Sequence, residues 1–298
     1  MTADANSPTG AASTRRPLWQ RLLLIVAAVG FALGVYLSIR ARPELVSDLN
    51  YLPLFLLAAF GVPVTVLLNA EEFRLSGQLV GRKFSRVSAV DITIVASVAN
   101  MLPIPGGTMV RIGALKAKGA NLKEGTTATL LVSFIWVGLA FLYSGAWLLF
   151  SVEGSADRLG VLFVLFGTAL LIVIIVSAIG VFRQRGMIAR LTLVKTGLVL
   201  VDATRIYLCF LILGVGGTFG QASVLTVSSV VGASVSIVPA GLGIREGTAA
   251  LLAPLIALGA AAGYLSTSLN RVVGLIILAP VALYLGIRTN VSHDEVKR

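Results

Sequence analysis

A series of apolar runs, each about 20 residues long, constrains this chain more than any other feature. About 20 residues of α-helix cross the roughly 30 Å hydrocarbon core of a bilayer. A spanning segment must satisfy its backbone hydrogen bonds internally, so the sequence predicts an all-α polytopic membrane protein with about six full spans. The predicted spans are Leu18 to Ile39, Tyr51 to Asn69, Thr126 to Phe150, Leu159 to Phe182, Leu193 to Gly214 and Ala262 to Ile287.

Composition agrees with this class. Of the 298 residues, 57% are hydrophobic and 12% are charged, whereas soluble domains carry about 25% charged residues. The net charge of +11 is typical of nucleic-acid binding in a soluble protein. Here most basic residues lie in short loops on one predicted side of the membrane, as the positive-inside rule requires. We therefore predict membrane lipids and no nucleic acid as partners.

Two apolar segments are interrupted by the same kind of motif. Pro105, Gly106, Gly107 and Arg111 recur, in the same order, as Pro239, Gly241 and Arg245 with further glycine at Gly243. Proline and glycine break helices, so each segment is predicted to form a re-entrant helical hairpin. The arms are Ser88 to Leu102 with Gly107 to Lys118, and Ala222 to Val238 with Gly247 to Ala261; the predicted breaks are Pro103, Pro105, Gly106, Gly107, Pro239, Gly241 and Gly243.

The basic residues also predict the topology. With the N-terminus in the cytoplasm, the first hairpin opens to the cytoplasm and the second to the exterior. Residues 51–150 and 191–287 are then the halves of an inverted repeat within one transmembrane domain, 18–287, and the broken tips meet near the midplane. Residues 1–17 are predicted to be a disordered cytoplasmic segment, and 288–298 a cytoplasmic tail.

Soluble-enzyme chemistry has little support in the sequence. The single histidine, His293, lies in the polar tail, and the single cysteine, Cys209, lies in an apolar run. Neither a metal cluster nor a nucleophile with a histidine base can be assembled from them. The glycine-rich stretches lack the lysine and hydroxyl residue of a phosphate-binding P-loop. The sequence therefore predicts no catalytic residue, metal or cofactor.

The arginines of the two motifs are the main candidates for ligand binding. Arg111 and Arg245 follow the breaks, where guanidinium groups and half-helix N-termini suit a phosphate or carboxylate. An alternative is that Arg245 satisfies backbone carbonyls freed by the break or forms a structural ion pair. Glu246 is predicted to pair with Arg271 or Arg111, and as a buried acid it can also carry a proton.

Other polar residues within apolar segments complete the candidate site. Asp202 and Arg205 are spaced i, i+3, and the more favoured interpretation is an ion pair along one helix face. Asn270 and Arg271 are predicted to line the polar cavity. Asn100, just before the first break, is predicted to cap or hydrogen-bond freed backbone.

These residues carry a family resemblance that covers the chain from about Leu18 to Ile287. The two motif regions are similar to the paired signatures of the lysylphosphatidylglycerol synthase transmembrane family. That family includes the flippase domain of the multiple peptide resistance factor and stand-alone relatives. The residues concerned are Asn100, Pro103, Gly106, Gly107 and Arg111, then Pro239, Gly241, Gly243, Arg245, Glu246 and Gly247.

The resemblance implies that a lipid with a large polar head group crosses the bacterial cytoplasmic membrane through this protein, and it implies no synthesis. The lipid is an aminoacyl phospholipid, a glycolipid or a polyprenyl-linked sugar. Two alternatives stay open: a secondary transporter of a small anion, and a non-transporting subunit that anchors a lipid-modifying enzyme or glycosyltransferase.

Overall fold

The computed structural model describes residues 18–100, 106–151, 156–234 and 241–295, and within these ranges the chain is helical without any strand. A π-helical turn, Leu57–Gly61, joins the helices Tyr51–Leu56 and Val62–Leu79, and a 3₁₀ turn, Ala253–Ile256, follows the helix Ile244–Leu252. The helices are α1 (Leu18–Ala41), α2 (Glu44–Ser47), α3 (Tyr51–Leu56), α4 (Val62–Leu79), α5 (Arg86–Ala99), α6 (Gly106–Ala117), α7 (Leu122–Ser151), α8 (Ala156–Phe182), α9 (Arg185–Ile212), α10 (Phe219–Ser234), α11 (Ile244–Leu252) and α12 (Ala260–Glu295).

Among the described residues, four stretches of helix are long and apolar enough to cross a membrane: Tyr51–Leu79, Leu122–Phe150, Asp157–Phe182 and Ala260–Gly286. These four coincide with predicted spans, and the helical membrane class predicted from the sequence fits them. The other two predicted spans correspond to α1 and α9. The apolar part of α1 is shorter, Ile25–Ala41, and α9 is a 28-residue helix interrupted by charged side chains.

Several helices extend beyond the predicted bounds. Those bounds lie where the apolar runs end, whereas the helices continue through the polar residues that follow. The second predicted span ends at Asn69, whereas α4 continues for almost three more turns, to Leu79. The predicted fifth span begins at Leu193, whereas α9 begins at Arg185. The helix α12 also continues to Glu295, through most of the segment predicted to be a tail. Residues 1–17 lie outside the described part of the chain.

Helices α7 and α8 approach each other through glycine. A Cβ atom on Gly167 would lie 2.7 Å from the carbonyl oxygen of Gly138, and one on Gly145 would lie 2.8 Å from that of Gly160. Small residues at a helix interface allow this close approach of the two backbones, as in many membrane bundles. The helix α8 therefore packs chiefly against α7.

Helices α4 and α9 pack antiparallel. Thr65, early in α4, contacts Arg205, late in α9, while Glu72, later in α4, contacts Lys195, earlier in α9. The order of elements around them is repeated: α4 is followed by the α5 and α6 pair and then α7, and α9 by the α10 and α11 pair and then α12. Each hairpin thus lies between two longer helices.

The glycines of the two motifs lie at different places relative to their helices. Gly106 and Gly107 are the first residues of α6 rather than part of a break, because their missing side chains allow α6 to pack against the end of α5. Gly241 and Gly243 do lie between the helices of the second hairpin, with φ values of 61° and 82°. Pro103, Pro105 and Pro239 lie outside the described residues. The second arm is also shorter than predicted, since α11 and its 3₁₀ turn end at Ile256.

Candidate functional site

The turn before α11 fixes where Arg245 and Glu246 lie. Gly243 has a left-handed backbone conformation, and its N–H donates a hydrogen bond of 2.8 Å to Oε2 of Glu246. A side chain at Gly232 of α10 would approach Cβ of Arg245 to 2.7 Å, so α10 and α11 are nearly in backbone contact at this point. This turn therefore places Arg245 and Glu246 in the first turn of α11.

Asp202 of α9 is the acid on which three elements converge. Its Oδ1 lies 3.3 Å from a terminal nitrogen of Arg245 and accepts a hydrogen bond from Nδ2 of Asn270 at 3.4 Å. Its Oδ2 accepts a hydrogen bond from the Ser229 hydroxyl at 2.6 Å. The carboxylate thus joins α9 to α10, α11 and α12.

The ion pair predicted between Asp202 and Arg205 is not formed. Arg205 instead donates to the hydroxyl of Thr65 at 3.1 Å and to the backbone carbonyl of Asn270 at 3.2 Å. The i, i+3 spacing brings the two residues within reach along one helix. The Asp202 carboxylate instead contacts Arg245, which belongs to another helix. Arg205 is left to bridge α4 and α12.

Glu246 forms its ion pair with Arg271, one of its two predicted partners. Nε of Arg271 lies 2.9 Å from Oε1 of Glu246, whose side chain is 0% exposed. A terminal nitrogen of Arg271 also donates to the carbonyl of Gly241 at 3.4 Å. The predicted contact between an arginine and a carbonyl of the break is therefore made by Arg271 rather than by Arg245. We call the residues Thr65, Asp202, Arg205, Ser229, Arg245, Glu246, Asn270 and Arg271 the Asp202 cluster.

Several polar atoms of the Asp202 cluster are buried without a hydrogen-bond partner among the described residues. They are Nε of Arg205, Nε of Arg245, one terminal nitrogen of Arg271, Oδ1 of Asn270 and Oε1 of Glu246, which has only its ion-pair contact with Arg271. Three arginines face two acids, so the cluster carries one excess positive charge. Buried donors without partners are costly. The arrangement is therefore suited to an anion that accepts hydrogen bonds from guanidinium groups.

Arg111 belongs to a different cluster. One of its terminal nitrogens lies 2.8 Å from Oε1 of Glu72, and Nζ of Lys195 lies 2.6 Å from Oε2 of the same carboxylate. The ammonium of Lys195 also lies 5.7 Å from the ring centroid of Trp136. We call Glu72, Arg111, Trp136 and Lys195 the Glu72 cluster. The expectation that Arg111 and Arg245 serve one site is not met by the described contacts.

Glu72 and Lys195 were missed by sequence reasoning. Lys195 lies within the predicted fifth span but is not among the predicted site residues, and the exposed fractions of the Lys195 and Glu72 side chains are 7% and 1%. One signal was available: Glu72 and Thr65 are seven residues apart, and so are Lys195 and Asp202. Seven residues are two helical turns, about 10 Å, so α4 and α9 present both clusters along one shared face.

Asn100 makes the backbone contact that the sequence predicted for it. Its Oδ1 accepts a hydrogen bond of 2.9 Å from the N–H of Gly107. A side chain at Gly107 would overlap this amide and would lie 2.6 Å from the carbonyl oxygen of Ala96. The Asn100 oxygen thus caps the first turn of α6, which is its role in the hairpin.

An apolar cavity lies between α7 and α9, close to the Asp202 cluster. Its volume is about 230 Å³. Val199, which lines it, packs with Val230, the residue after Ser229, and Leu200, which also lines it, is two residues before Asp202 and exposed. The other lining residues are Leu139, Leu142, Tyr143, Ala146 and Thr196.

Within the described ranges, no group of three or more His, Cys, Asp and Glu side chains is placed to hold a metal ion. Comparison with protein-family models and with curated proteins finds no match to this chain. The function of this protein is therefore inferred from the geometry of the Asp202 and Glu72 clusters and from the motif resemblance.

Proposed function

We propose that this protein is a flippase-like membrane protein that moves a lipid with a polar, anionic head group across the bacterial cytoplasmic membrane. The observation that carries the proposal is the Asp202 cluster. It places three guanidinium groups with buried, unpartnered N–H donors between α4, α9, α11 and α12. Charged residues within apolar helices are costly, and in transport proteins they mark substrate or ion pathways.

The repeated order of helices supports an inverted-repeat transport architecture. Helices α4 and α9 occupy equivalent places before their hairpins and pack antiparallel, as inverted repeats require. We propose that residues 51–150 and 191–287 are the two halves, that α5 with α6 and α10 with α11 are re-entrant from opposite sides, and that both termini lie in the cytoplasm. Broken helices at membrane depth commonly form the substrate sites of transporters.

The cavity between α7 and α9 favours a lipid over a soluble anion as the substrate. Its lining is almost wholly apolar, and Leu200, one of the lining residues, is exposed. An acyl chain gains about 0.8 kcal/mol for each buried CH₂ group. A lipid can therefore place a chain in this cavity while its head group approaches Arg245 and Arg205. A small soluble anion would make no use of it.

The resemblance to the lysylphosphatidylglycerol synthase transmembrane family supports the same proposal. The matched residues Gly243, Arg245 and Glu246 lie at the start of α11, where the buried Nε of Arg245 has no hydrogen-bond partner among the described residues. Under this proposal, Arg245 and Arg205 bind the head-group phosphate, while Glu246 and Arg271 hold the turn. A lipid-modifying enzyme or glycosyltransferase is a proposed partner that supplies or uses the lipid.

Lipid translocation by the purified protein tests the proposal. The protein is reconstituted into liposomes that contain fluorescent anionic or zwitterionic phospholipids, and dithionite quenching reports the fraction that reaches the outer leaflet. We expect transport of the anionic lipid, and we expect Arg245→Gln to slow it at least about tenfold, the equivalent of 1.4 kcal/mol. Arg190→Gln is the matched control, because Arg190 is an exposed arginine on α9.

Two results would overturn the proposal. If Arg245→Gln moves lipid as fast as the wild type, the Asp202 cluster does not bind the head group. If the wild type moves no lipid but is stabilised in detergent by millimolar soluble anions, a small-anion transporter is the better reading. A chain that shows neither behaviour and co-purifies with a lipid-modifying enzyme is the accessory subunit of the third hypothesis.

A further inference from the structure

Glu72 is held as a bound anion would be held. Its two carboxylate oxygens contact two different cations, a guanidinium on α6 and an ammonium on α9. Each oxygen has its own partner, at 2.8 Å for Arg111 and 2.6 Å for Lys195. These are the short distances of charge-assisted hydrogen bonds. Glu72 itself belongs to a third helix, α4.

The charges around Glu72 do not balance. One carboxylate faces two cations, so the Glu72 cluster has a net charge of +1. Lys195 and Glu72 are more than nine-tenths buried, and a buried uncompensated charge is expensive. A phosphate monoanion would bring the summed charge of Glu72, Arg111 and Lys195 to zero, whereas the single carboxylate leaves one positive charge. The excess positive charge therefore favours a further anion at Arg111 and Lys195.

The two cations are also arranged for such a ligand. Arg111 presents a planar guanidinium, which binds phosphate oxygens in pairs, and Lys195 presents a point charge. The Lys195 ammonium lies near the face of Trp136, a contact that favours the charged form in this position. The Arg111 side chain is 19% exposed, so a ligand can reach it without crossing the core.

We propose that Arg111 and Lys195 form a second anion-binding site, for a phosphate group, and that the Glu72 carboxylate occupies it as an internal ligand. This inference rests on the proposed function, since the phosphate belongs to the transported lipid. The second site lies two helical turns from the Asp202 cluster along α4 and α9, about 10 Å. A head group thus moves between two sites, and each contains an acid that takes its place when it leaves.

Phosphate binding by Glu72→Gln tests this inference. The purified full-length protein in detergent is titrated with inorganic phosphate at constant ionic strength, with chloride as the reference anion, and binding is measured by calorimetry. Glutamine has the shape of glutamate but carries no charge, so it competes poorly for the two cations. We expect Glu72→Gln to bind phosphate at least about tenfold tighter than the wild type, which is 1.4 kcal/mol.

A double variant shows whether the gain comes from the second site. In Glu72→Gln with Lys195→Gln, the tighter binding should be lost, because one of the two cations is gone. The inference is wrong if Glu72→Gln binds phosphate no tighter than the wild type, or if the gain survives in the double variant. Should Glu72→Gln fail to fold, Glu72→Asp replaces it. Its shorter carboxylate contacts one cation less well, so about threefold tighter binding is expected, and unchanged binding overturns the inference.

The source of the phosphate is a separate arm of the experiment. Dioctanoyl phosphatidic acid should compete with inorganic phosphate for the site in Glu72→Gln if the phosphate of a lipid binds there. If inorganic phosphate binds through Lys195 but the lipid does not compete, the second site exists and the lipid-transport proposal fails. If Arg245→Gln abolishes lipid transport while Glu72→Gln gains no phosphate affinity, the proposed function stands and this inference fails.

Discussion

The Glu72 and Asp202 clusters are built alike but filled differently. In each, an arginine that follows a hairpin turn contacts an acid on one of the antiparallel pair α4 and α9. Around Glu72 every described carboxylate oxygen has a charged partner within 2.8 Å. Around Asp202 the arginine is at 3.3 Å and several buried donors have no partner among the described residues.

Among the described residues, both Glu72 oxygens have charged partners, whereas the Asp202 cluster keeps buried donors without hydrogen-bond partners. Short contacts and burial hold the Glu72 cluster in one arrangement, so it fastens the first hairpin to α4 and α9. The longer contact and spare donors of the Asp202 cluster leave Arg245 able to exchange one anionic partner for another.

Removal of the acid from each cluster should give the largest difference. Glu72→Ala leaves two buried cations without a counter-charge, and such changes cost about 3–5 kcal/mol of unfolding free energy. Asp202→Ala should cost less, about 1–3 kcal/mol, because the side chains of Asp202 and Arg245 are 19% and 16% exposed. Denaturant unfolding in mixed micelles measures both values.

Glu71→Ala is the control for Glu72→Ala. Glu71 neighbours Glu72 and pairs with Arg74, but its side chain is 40% exposed. An exposed pair of this kind contributes about 0–1 kcal/mol. Equal losses for Glu71→Ala and Glu72→Ala would show that the burial of Glu72 does not determine its contribution.

Alanine substitutions at the glycines should sharpen the comparison of the two turns. Gly241→Ala requires a positive φ and overlaps the carbonyl of Gly232, so we expect a loss of about 2–4 kcal/mol. Gly107→Ala has an ordinary helical conformation but approaches the carbonyl of Ala96 to 2.6 Å. A loss of about 1–3 kcal/mol follows from overpacking alone.

Each hairpin contains a matched control for these substitutions. Gly113 in α6 and Gly247 in α11 have no atom within 4 Å of an added Cβ. Alanine is favoured over glycine within helices by about 1 kcal/mol, so both changes should be neutral or stabilising. Thermal unfolding in detergent compares the four variants. A Gly247→Ala protein as unstable as Gly241→Ala would contradict the described turn.

The smallest effect expected is the coupling between Asp202 and its neighbouring arginines. In a double-mutant cycle, Asp202→Asn with Arg245→Gln should give about 1 kcal/mol of coupling, as contacting residues do. Asp202→Asn with Arg205→Gln should give less than about 0.5 kcal/mol, since Arg205 contacts Thr65 and Asn270 instead. A larger coupling to Arg205 would restore the ion pair predicted from the i, i+3 spacing.

The fold class was predictable because the apolar runs are a local property of the chain. Four of the six predicted spans coincide with helices that can cross a membrane, and both interrupted segments form helix pairs. Helix ends were less predictable. The second apolar run ends at Asn69 and the fifth begins at Leu193. The helix α4 nevertheless continues past Asn69 and α9 begins before Leu193, because polar residues there, such as Glu72, have partners on other helices.

The sequence indicated which residues belong to the candidate site better than it indicated which residues contact one another. Arg245, Glu246, Asn270 and Arg271 were each recognised, and the pairing of Glu246 with Arg271 was one of two alternatives. Asp202 was assigned to the wrong arginine, since sequence spacing reports neighbours along one helix only. Lys195 lies within the predicted fifth span but was not a candidate site residue, because a basic residue near the end of an apolar run looks the same in the sequence whether it faces water or a buried acid.

The sequence alone determined that this chain forms apolar helices, that two of its apolar segments are broken by glycine and proline, and that arginines follow the breaks. Those features follow from local physics: hydrocarbon thickness, backbone hydrogen bonding and conformational freedom at glycine. Only the tertiary structure decided which acid each arginine contacts. Arg111 pairs with Glu72, 39 residues away along the chain, and Arg245 with Asp202, 43 residues away. Such pairings depend on how the helices pack, since a buried charge is stabilised by the partner that packing brings within reach.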